Sequence, residues 1–384
     1  MILIKNVEVY SPEYKGVKDV FISGGKISLI ENEINFNNDK IKIIDGSKKK
    51  LTPGFIDQHV HITGGGGEGS FKTRAPEITL SKLTQGGITT VVGLLGTDGT
   101  TRSVENLVSK AKALKEEGIT VFAHTGSYEY PTITITGSIK RDIVFIDEII
   151  GVKLALSDHR APNVSNLELQ RVASDARVAG MISGKAGIVV LHMGDGKKGL
   201  SQVNEILKET EIPMKTIRPT HVNRKKELLM EAFDYAKRGG IIDLTCGMKD
   251  DLTPGKSIKK AIHENVPKEN ITISSDGYGS WSKYDEAGNL IKMGVSSVSS
   301  LHNEFKFMVN ELDFSIEDAL TYITSNVAKG LEVYPRKGCI NEGSDADILL
   351  IDENLDIDTV IANGKIMIEN KKVLVSGTYE DINI

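Results

Sequence analysis

Eight short apolar runs, most of them separated by segments with helical periodicity, constrain the possible folds of this 384-residue chain most strongly. Several runs are rich in β-branched residues, which is typical of strands buried on both faces. Between them lie stretches in which apolar residues recur at i, i+3, i+4 and i+7 and a Gly follows, as in amphipathic helices. The runs occupy residues 54–61, 88–95, 119–124, 149–156, 187–192, 216–221, 241–245 and 271–276.

Buried strands that alternate with helices predict an α/β fold. Eight such units favour a (β/α)8 barrel, which commonly takes about 250 residues as one domain. A doubly wound open sheet is the alternative, because periodicity alone does not distinguish an open sheet from a closed barrel.

Both ends of the chain have a different, β-rich pattern. Residues 1–50 form short alternating stretches interrupted by Gly and by Asn-Asn-Asp, and similar stretches return near the C-terminus, where Asn363-Gly364 is a hairpin turn signal. A sheet of a few strands is more stable when the two terminal pieces pair than when either stands alone. The predicted domains are therefore a β domain of residues 1–52 with 331–384, and a barrel of residues 53–330.

The composition limits which binding partners the protein is expected to have and in which cellular compartment it is expected to work. Asp and Glu number 52 against 47 Lys and Arg, which gives a net charge of −5 and argues against a nucleic acid partner. No segment approaches the ~20 apolar residues of a membrane span, so no membrane association is expected. Cys246 and Cys339 stand alone, without a CxxC pair, which favours the reducing cytoplasm.

The first apolar run ends with two metal-ligand types. Because side chains alternate along a strand, His59 and His61 are expected to face the same side. Asp57 shares that parity, and we expect it to orient one of the two rings. A His-x-His pair alone is a weak signal, since histidine is also common at half-buried positions.

Four further polar residues lie in or at the carboxyl ends of four other runs: Lys153, His192, His221 and Asp276. In a barrel these ends converge on the one face where active sites form. The alternative, core histidines with satisfied hydrogen bonds and a surface lysine, gives no reason for the repeated placement at strand ends. The sequence therefore predicts a metal site at this face.

These residues stand in motifs that resemble the amidohydrolase superfamily: LTPGFIDQHVHI, the lysine of run four, the two single histidines, SSDG and the tail TSNVAKGLEVYPRKGCINEGSDADILLID. The segments GGGGEGSFKTRAPE, TGSYEYP, KLALSDHRAP, LHMGDG and PTHVNR are most similar to its β-aspartyl (isoaspartyl) dipeptidase family. The resemblance covers essentially the whole chain. It implies a (β/α)8 barrel with a small β-sandwich built from both termini, and a homo-oligomer, which in the family is an octamer.

The resemblance also implies a binuclear zinc centre. A lysine ammonium cannot donate to a metal, so the family carboxylates this lysine on its side-chain nitrogen. The modified Lys153 and a hydroxide would bridge the two ions. The implied ligands are His59, His61, Lys153, His192, His221 and Asp276.

The implied reaction is hydrolysis of the isopeptide bond of a β-aspartyl dipeptide by the bridging hydroxide. Asp276 acts as general base and then general acid, while Tyr128 polarises the scissile carbonyl. Substrate-binding roles are implied for five residues. Glu68 would receive the α-ammonium, Arg160 and Arg224 would bind the carboxylates, and Thr97 and Ser280 would hydrogen-bond the same polar groups.

Two alternatives stay open. Another amide hydrolase of the superfamily, such as an N-acyl amino acid deacylase, a dihydroorotase or a hydantoinase, would use the same metal ligands. A cyclic ureide offers no ammonium to pair with Glu68, which would make that carboxylate costly to bury. A non-catalytic scaffold is the second alternative, because a fold does not fix a function, but the presence of all six ligand positions argues against it.

Overall fold

The computed structural model describes residues 1–36, 38–285 and 289–380. The strands are β1 (Ile2–Tyr10), β2 (Tyr14–Ser23), β3 (Lys26–Glu31), β4 (Lys42–Asp45), β5 (Lys50–Pro53), β6 (Phe55–Val60), β7 (Ile88–Gly93), β8 (Thr120–Gly126), β9 (Ile149–Leu156), β10 (Ile188–Met193), β11 (Ile217–Thr220), β12 (Ile242–Thr245), β13 (Ile271–Ser274), β14 (Ser280–Tyr284), β15 (Leu290–Val295), β16 (Ile348–Ile351), β17 (Ile357–Ala362), β18 (Lys365–Glu369) and β19 (Lys372–Val373). The α-helices are α1 (Leu80–Gln85), α2 (Val104–Glu117), α3 (Ile139–Phe145), α4 (Asn166–Ser183), α5 (Ser201–Glu209), α6 (Lys226–Lys237), α7 (Pro254–His263), α8 (Ser300–Glu311), α9 (Ile316–Ile323) and α10 (Ser325–Gly330).

Strands β6 to β13 form the predicted barrel. They pair in sequence order in one eight-stranded sheet, and every pair is parallel. The ends of the sheet meet through a parallel bridge between Val60 and Gly277, where the His61 amide donates to the Gly277 carbonyl oxygen at 2.9 Å. All eight apolar runs are therefore confirmed as strands, and the closure excludes the open-sheet alternative.

The barrel helices begin and end at residues that suit these positions. The Ser165 side chain accepts from the Glu168 amide, and the Glu168 carboxylate accepts from the Ser165 amide, which forms a capping box at the start of α4. Gly184 ends the helix in the left-handed conformation, with φ of 67°, which a residue with a side chain rarely adopts. The buried face of α4 packs on the strands through Leu169, Val172, Ala173, Ala176 and Ala179.

Both termini contribute to one nine-stranded sheet. Strand β16 pairs antiparallel with β5, which itself runs parallel to β1. Ile348 and Leu350 of β16 pack in the core of this sheet, whereas Leu349 packs in the main core with the barrel residues. Because successive side chains of β16 enter two different cores, every residue of this strand is buried.

The predicted C-terminal hairpin is confirmed. Asn363 and Gly364 join β17 to β18 with φ values of 46° and 76°. Two successive left-handed residues match the type I′ turn that suits the twist of a two-residue hairpin.

A membrane span is not seen in the part of the chain that the structure describes, where each helix is too short or too polar to cross a bilayer.

Candidate active site

The first group of predicted site residues lies where β6 and β13 close the barrel. His59 is in β6, and His61 follows its last residue. The Oδ1 atom of Asp276 lies 3.7 Å from His59 Nε2 and 3.3 Å from His61 Nε2. Asp276 follows the end of β13 with φ of 53°, so the left-handed turn directs the chain away from the barrel at this carboxylate. The two histidines therefore do share one face, as the sequence predicted.

Lys153 lies inside the barrel beside this group. It is the fifth residue of β9, its side chain is fully buried, and its Nζ atom lies 3.0 Å from His59 Nε2. Burial lowers the pKa of Lys153 to about 7, although the charges of Asp276 and Asp243 favour the ammonium. Much of this lysine is therefore uncharged at neutral pH, and the uncharged amine is the form that reacts with CO2.

His192 and His221 complete the cluster from β10 and the end of β11. The His221 ring centroid lies 4.7 Å from those of His59 and His192. Burial holds the pKa of all three rings well below the usual 6.5, so they are neutral and offer a nitrogen lone pair. The Nδ1 atom of His221 lies 2.7 Å from the hydroxyl of Thr245, which leaves Nε2 of that ring for another partner.

These residues fit a metal centre. Ligand atoms of His59, His221 and Asp276 lie within 4.8 Å of one another. Several buried atoms of the cluster have no hydrogen-bond partner among the described residues, which is costly unless another group binds them. These atoms are His59 Nδ1, His61 Nδ1 and Asp276 Oδ1. Neutral imidazoles, a carboxylate and a lysine that can become anionic form a donor set suited to zinc.

Tyr128 reaches the cluster from the loop after β8. Its hydroxyl lies 2.6 Å from His192 Nδ1, and the two ring centroids are 4.3 Å apart. Burial raises the pKa of Tyr128 far above its usual 10, so the phenol stays protonated and can donate a hydrogen bond. Tyr128, which the sequence predicts to polarise the scissile carbonyl, therefore lies against His192 of the histidine cluster.

Asp158 is a site residue that the sequence analysis missed. Its Oδ2 atom lies 3.0 Å from His192 Nε2 and 2.9 Å from Arg160 Nη2, and its Oδ1 atom accepts from Arg160 Nε at 2.9 Å. Burial favours the neutral acid, but the hydrogen bonds from His192 and Arg160 outweigh it and hold the pKa of Asp158 well below its usual range. Two features of the sequence point to Asp158: it lies two residues after β9, and it stands two positions before Arg160, a predicted substrate-binding residue.

Three of the predicted substrate-binding residues meet at the carboxylate of a fourth, Glu68. Ser280 Oγ lies 2.8 and 2.9 Å from its two oxygens, and Thr97 Oγ1 donates to Oε1 at 3.2 Å. Arg160 Nη1 lies 3.3 Å from the same Oε1 atom. The Glu68 side chain is 7% exposed, so this carboxylate is close to fully buried beside the cluster. A ligand ammonium would find here an acceptor that already has a counter-charge and two hydroxyls around it.

Arg224 does not join that group. It ends the short 3-10 helix Val222–Arg224, directly after His221. Its Nε atom is buried and has no hydrogen-bond partner in the described part of the chain. An orphaned guanidinium nitrogen next to the metal-type cluster suits an anionic ligand.

One sequence prediction was wrong. Asp57 does not orient an imidazole: its carboxylate accepts hydrogen bonds from the Ser275 amide at 3.2 Å, from the Ser275 hydroxyl and from the His59 amide at 3.3 Å. Burial raises the pKa of Asp57 to about 7. Ser275 directly follows β13, which closes the barrel beside β6. Its amide and hydroxyl both donate to the Asp57 carboxylate. Asp57 therefore fixes the turn that carries Asp276.

Comparisons with known proteins place the chain in a family. The model of the Amidohydrolase family matches residues 51–367. A β-aspartyl dipeptidase from Fervidobacterium islandicum AW-1, whose crystal structure contains a β-Asp-Leu dipeptide, is 44% identical, with 97% of this chain and 98% of that chain covered and a TM-score of 0.92. A second structure of a β-aspartyl dipeptidase from that organism is 42% identical over the same shares, with a TM-score of 0.89.

More distant relatives have other names. A dihydroorotase from Clostridium acetobutylicum is 24% identical in an alignment that covers 92% of this chain and 90% of the relative. A D-hydantoinase structure with a TM-score of 0.72 is only 16% identical, so it supports the fold alone. The chain therefore belongs to the amidohydrolase family, in the branch that includes the β-aspartyl dipeptidases.

Proposed function

We propose that this protein hydrolyses the isopeptide bond of β-aspartyl dipeptides. The observation that carries the proposal is the buried Glu68 carboxylate, which Ser280, Thr97 and Arg160 surround beside the histidine cluster. A β-aspartyl dipeptide has a free α-ammonium near its scissile bond, and this ammonium is a cation that the Glu68 carboxylate can bind. The dipeptide in the Fervidobacterium islandicum structure supports this choice of substrate.

We propose that two zinc ions occupy the cluster, held by His59, His61, Lys153 carboxylated on Nζ, His192, His221 and Asp276. The short distances from His59 Nε2 to Lys153 Nζ, and from the Nε2 atoms of His59 and His61 to Asp276 Oδ1, support this ligand set. Such ions lower the pKa of a shared water so that hydroxide is available near neutral pH, and they polarise the scissile carbonyl.

Side chains of the protein would then move the protons. Asp276 lies at the mouth of the cluster with 16% of its side chain exposed, so it can receive a proton and pass it to the leaving amine. The Tyr128 hydroxyl, protonated because of burial, would donate to the carbonyl oxygen as negative charge develops there. Arg160 and Arg224 would bind the carboxylates and hold the substrate in register.

A substrate panel tests the proposal against the relatives with other names. Zinc-loaded protein should hydrolyse β-Asp-Leu and leave dihydroorotate and hydantoin unchanged. The matched control is Glu68→Gln, which keeps the side-chain shape but removes the charge. It should raise KM for β-Asp-Leu about 10- to 100-fold, since a hydrogen bond to a charged group is worth ~1.5–3 kcal/mol. Turnover of dihydroorotate, with none of β-Asp-Leu, would overturn the proposal.

We further propose that the protein works in the cytoplasm as a homo-oligomer, an octamer by family resemblance. Cys246 and Cys339 are both free, which suits a reducing compartment. The neighbouring helices α3 and α4 expose Phe145, Met181 and Ile182, which are 66–69% accessible in the single chain. Covering these side chains would remove apolar surface from water. Light scattering of the purified protein measures the assembly directly.

A further inference from the structure

We propose that Asp158 is a positioning residue that couples metal binding at His192 to substrate binding at Arg160, an inference that rests on the proposed function. Its carboxylate contacts both side chains at once, through Oδ2 to His192 Nε2 and through both oxygens to the guanidinium. The Asp158 side chain is 1% exposed, so water does not replace either partner.

The first contact sets the tautomer of His192. A carboxylate only accepts hydrogen bonds, so Asp158 Oδ2 at 3.0 Å favours a proton on His192 Nε2, and this contact is closer than that of the donor Arg160 Nη2 at 3.4 Å. The other nitrogen, Nδ1, then holds the lone pair and faces the Tyr128 hydroxyl at 2.6 Å. In this structure the Tyr128 hydroxyl contacts that lone pair, and a metal bound to His192 would take its place at Nδ1. A carboxylate that fixes the far nitrogen of a metal-binding histidine strengthens the ligand.

The second contact sets the orientation of Arg160. Asp158 accepts from Nε at 2.9 Å and from Nη2 at 2.9 Å, so two parallel hydrogen bonds fix the plane of the guanidinium. Nη1 is then directed at Glu68 Oε1, 3.3 Å away. The Arg160 amide also donates to Oδ1 at 2.8 Å, which fixes the turn after β9.

Gly194 shows how closely this carboxylate is held. A Cβ atom built on Gly194 would lie 2.4 Å from Asp158 Cβ and 2.5 Å from its Oδ2. Any side chain there would push Asp158 away from both partners. This offers a second perturbation that leaves the carboxylate chemically intact.

The test measures zinc affinity and KM separately. Asp158→Ala removes both carboxylate oxygens, so the contacts to His192 Nε2 and to the Arg160 guanidinium are lost together. We expect one of the two zinc ions to bind about 10- to 100-fold more weakly, as when the outer partner of a ligand is removed, together with a higher KM for β-Asp-Leu. Dialysis against chelator-buffered zinc, followed by elemental analysis, gives the affinity without any reference to turnover.

Two further variants serve as comparisons: the first removes only the arginine contact, and the second is a control outside the site. Arg160→Ala should raise KM and leave zinc affinity unchanged. Glu148→Gln, which alters a buried carboxylate with two lysine partners outside the site, should change neither. If Asp158→Ala does not fold, Gly194→Ala should reproduce the loss of zinc affinity and the rise in KM.

Wild-type zinc affinity in Asp158→Ala, or in Gly194→Ala, would overturn the coupling, whatever happens to KM. Failure of the proposed function looks different, because then the wild-type protein itself would bind no zinc pair or would not cleave β-Asp-Leu.

Discussion

The polar side chains at the two ends of the barrel differ in whether they have hydrogen-bond partners within the protein. At the amino ends of the strands, the Glu148 carboxylate accepts hydrogen bonds from Lys112 and Lys115 at 2.8 and 2.9 Å. Lys185 donates to three backbone carbonyl oxygens, those of Ile143, Ile146 and Ile149, at 2.6–3.1 Å. Both oxygens of Glu148 and the ammonium of Lys185 therefore have hydrogen-bond partners within the protein.

At the carboxyl ends, buried polar atoms lack partners. Nitrogens of His59, His61 and Arg224 and an oxygen of Asp276 have no hydrogen bond with a described residue. In the described part of the chain, Lys153 Nζ lies 3.0 Å from an imidazole nitrogen and 5.9 Å from the centroid of the Tyr128 ring. Leaving polar groups unpaired costs stability, and such groups concentrate at functional sites. Glu148 and Lys185 are therefore paired within the fold, while the cluster at the carboxyl ends is completed by what it binds.

The largest contrast should come from the buried lysine at the carboxyl end. Lys153→Ala removes the group proposed to join the two zinc ions, so we expect zinc and activity to be lost together. Activity should fall at least about 10³-fold, as when one member of a catalytic unit is removed. Elemental analysis and β-Asp-Leu turnover measure the two losses. A short carboxylic acid at high concentration should restore part of both, and an absence of any rescue would contradict the bridging role.

A smaller effect is expected for the hydroxyl beside His192. Tyr128→Phe removes one donor to the developing oxyanion and keeps the ring packing. The rate constant kcat should fall about 10²- to 10³-fold while both zinc ions are retained. Loss of zinc in this variant would mean that Tyr128 supports the metal ligands and not the carbonyl.

The half-buried Lys185 at the amino end should affect stability alone. Lys185→Met leaves three carbonyl oxygens without their donor, which should lower the free energy of unfolding by ~1–3 kcal/mol. Chemical denaturation measures this change. Because Lys185 lies away from the site, kcat for β-Asp-Leu should match that of the wild-type protein, and a large fall in kcat would show that the two ends are not separate.

The smallest effect concerns acid. Burial favours the neutral form of Glu148, but its hydrogen bonds to Lys112 and Lys115 outweigh burial, and its pKa is lowered from 4.5. A carboxyl whose pKa is lower in the folded state stabilises the fold above its unfolded pKa, and this stabilisation is lost as pH falls through the folded value. The Tm difference between the wild-type protein and Glu148→Gln should therefore be full above pH 4.5 and shrink in stronger acid. A Tm difference that stays constant down to pH 3 would contradict the assignment.

The sequence predicted the barrel because its evidence is local. Strands buried on both faces leave continuous apolar runs, and amphipathic helices leave a 3.6-residue period. Placement at strand ends then predicted that His59, Lys153 and Asp276 would meet, because the geometry of a parallel barrel brings these positions together.

The sequence did not predict contacts that depend on the closure of the barrel. Asp57 bonds to Ser275, which is 218 positions away, and strand parity alone assigned it to a ring. The dual contact of Asp158 depends on the turn after β9, where Ser157 has φ of 52°. A tight turn redirects a side chain by amounts that alternation along a strand does not capture. Such contacts need coordinates.

The most direct measurement compares the rates at which zinc-loaded protein hydrolyses β-Asp-Leu, α-Asp-Leu and N-acetyl-leucine side by side. The two dipeptides are isomers, and only β-Asp-Leu carries its ammonium and the free Asp carboxylate on one carbon, which a methylene separates from the scissile carbonyl. We expect kcat/KM for β-Asp-Leu to exceed both others by orders of magnitude, because Glu68 and the two arginines recognise that arrangement. Faster cleavage of N-acetyl-leucine would contradict the account, since it would leave the buried Glu68 carboxylate without a ligand.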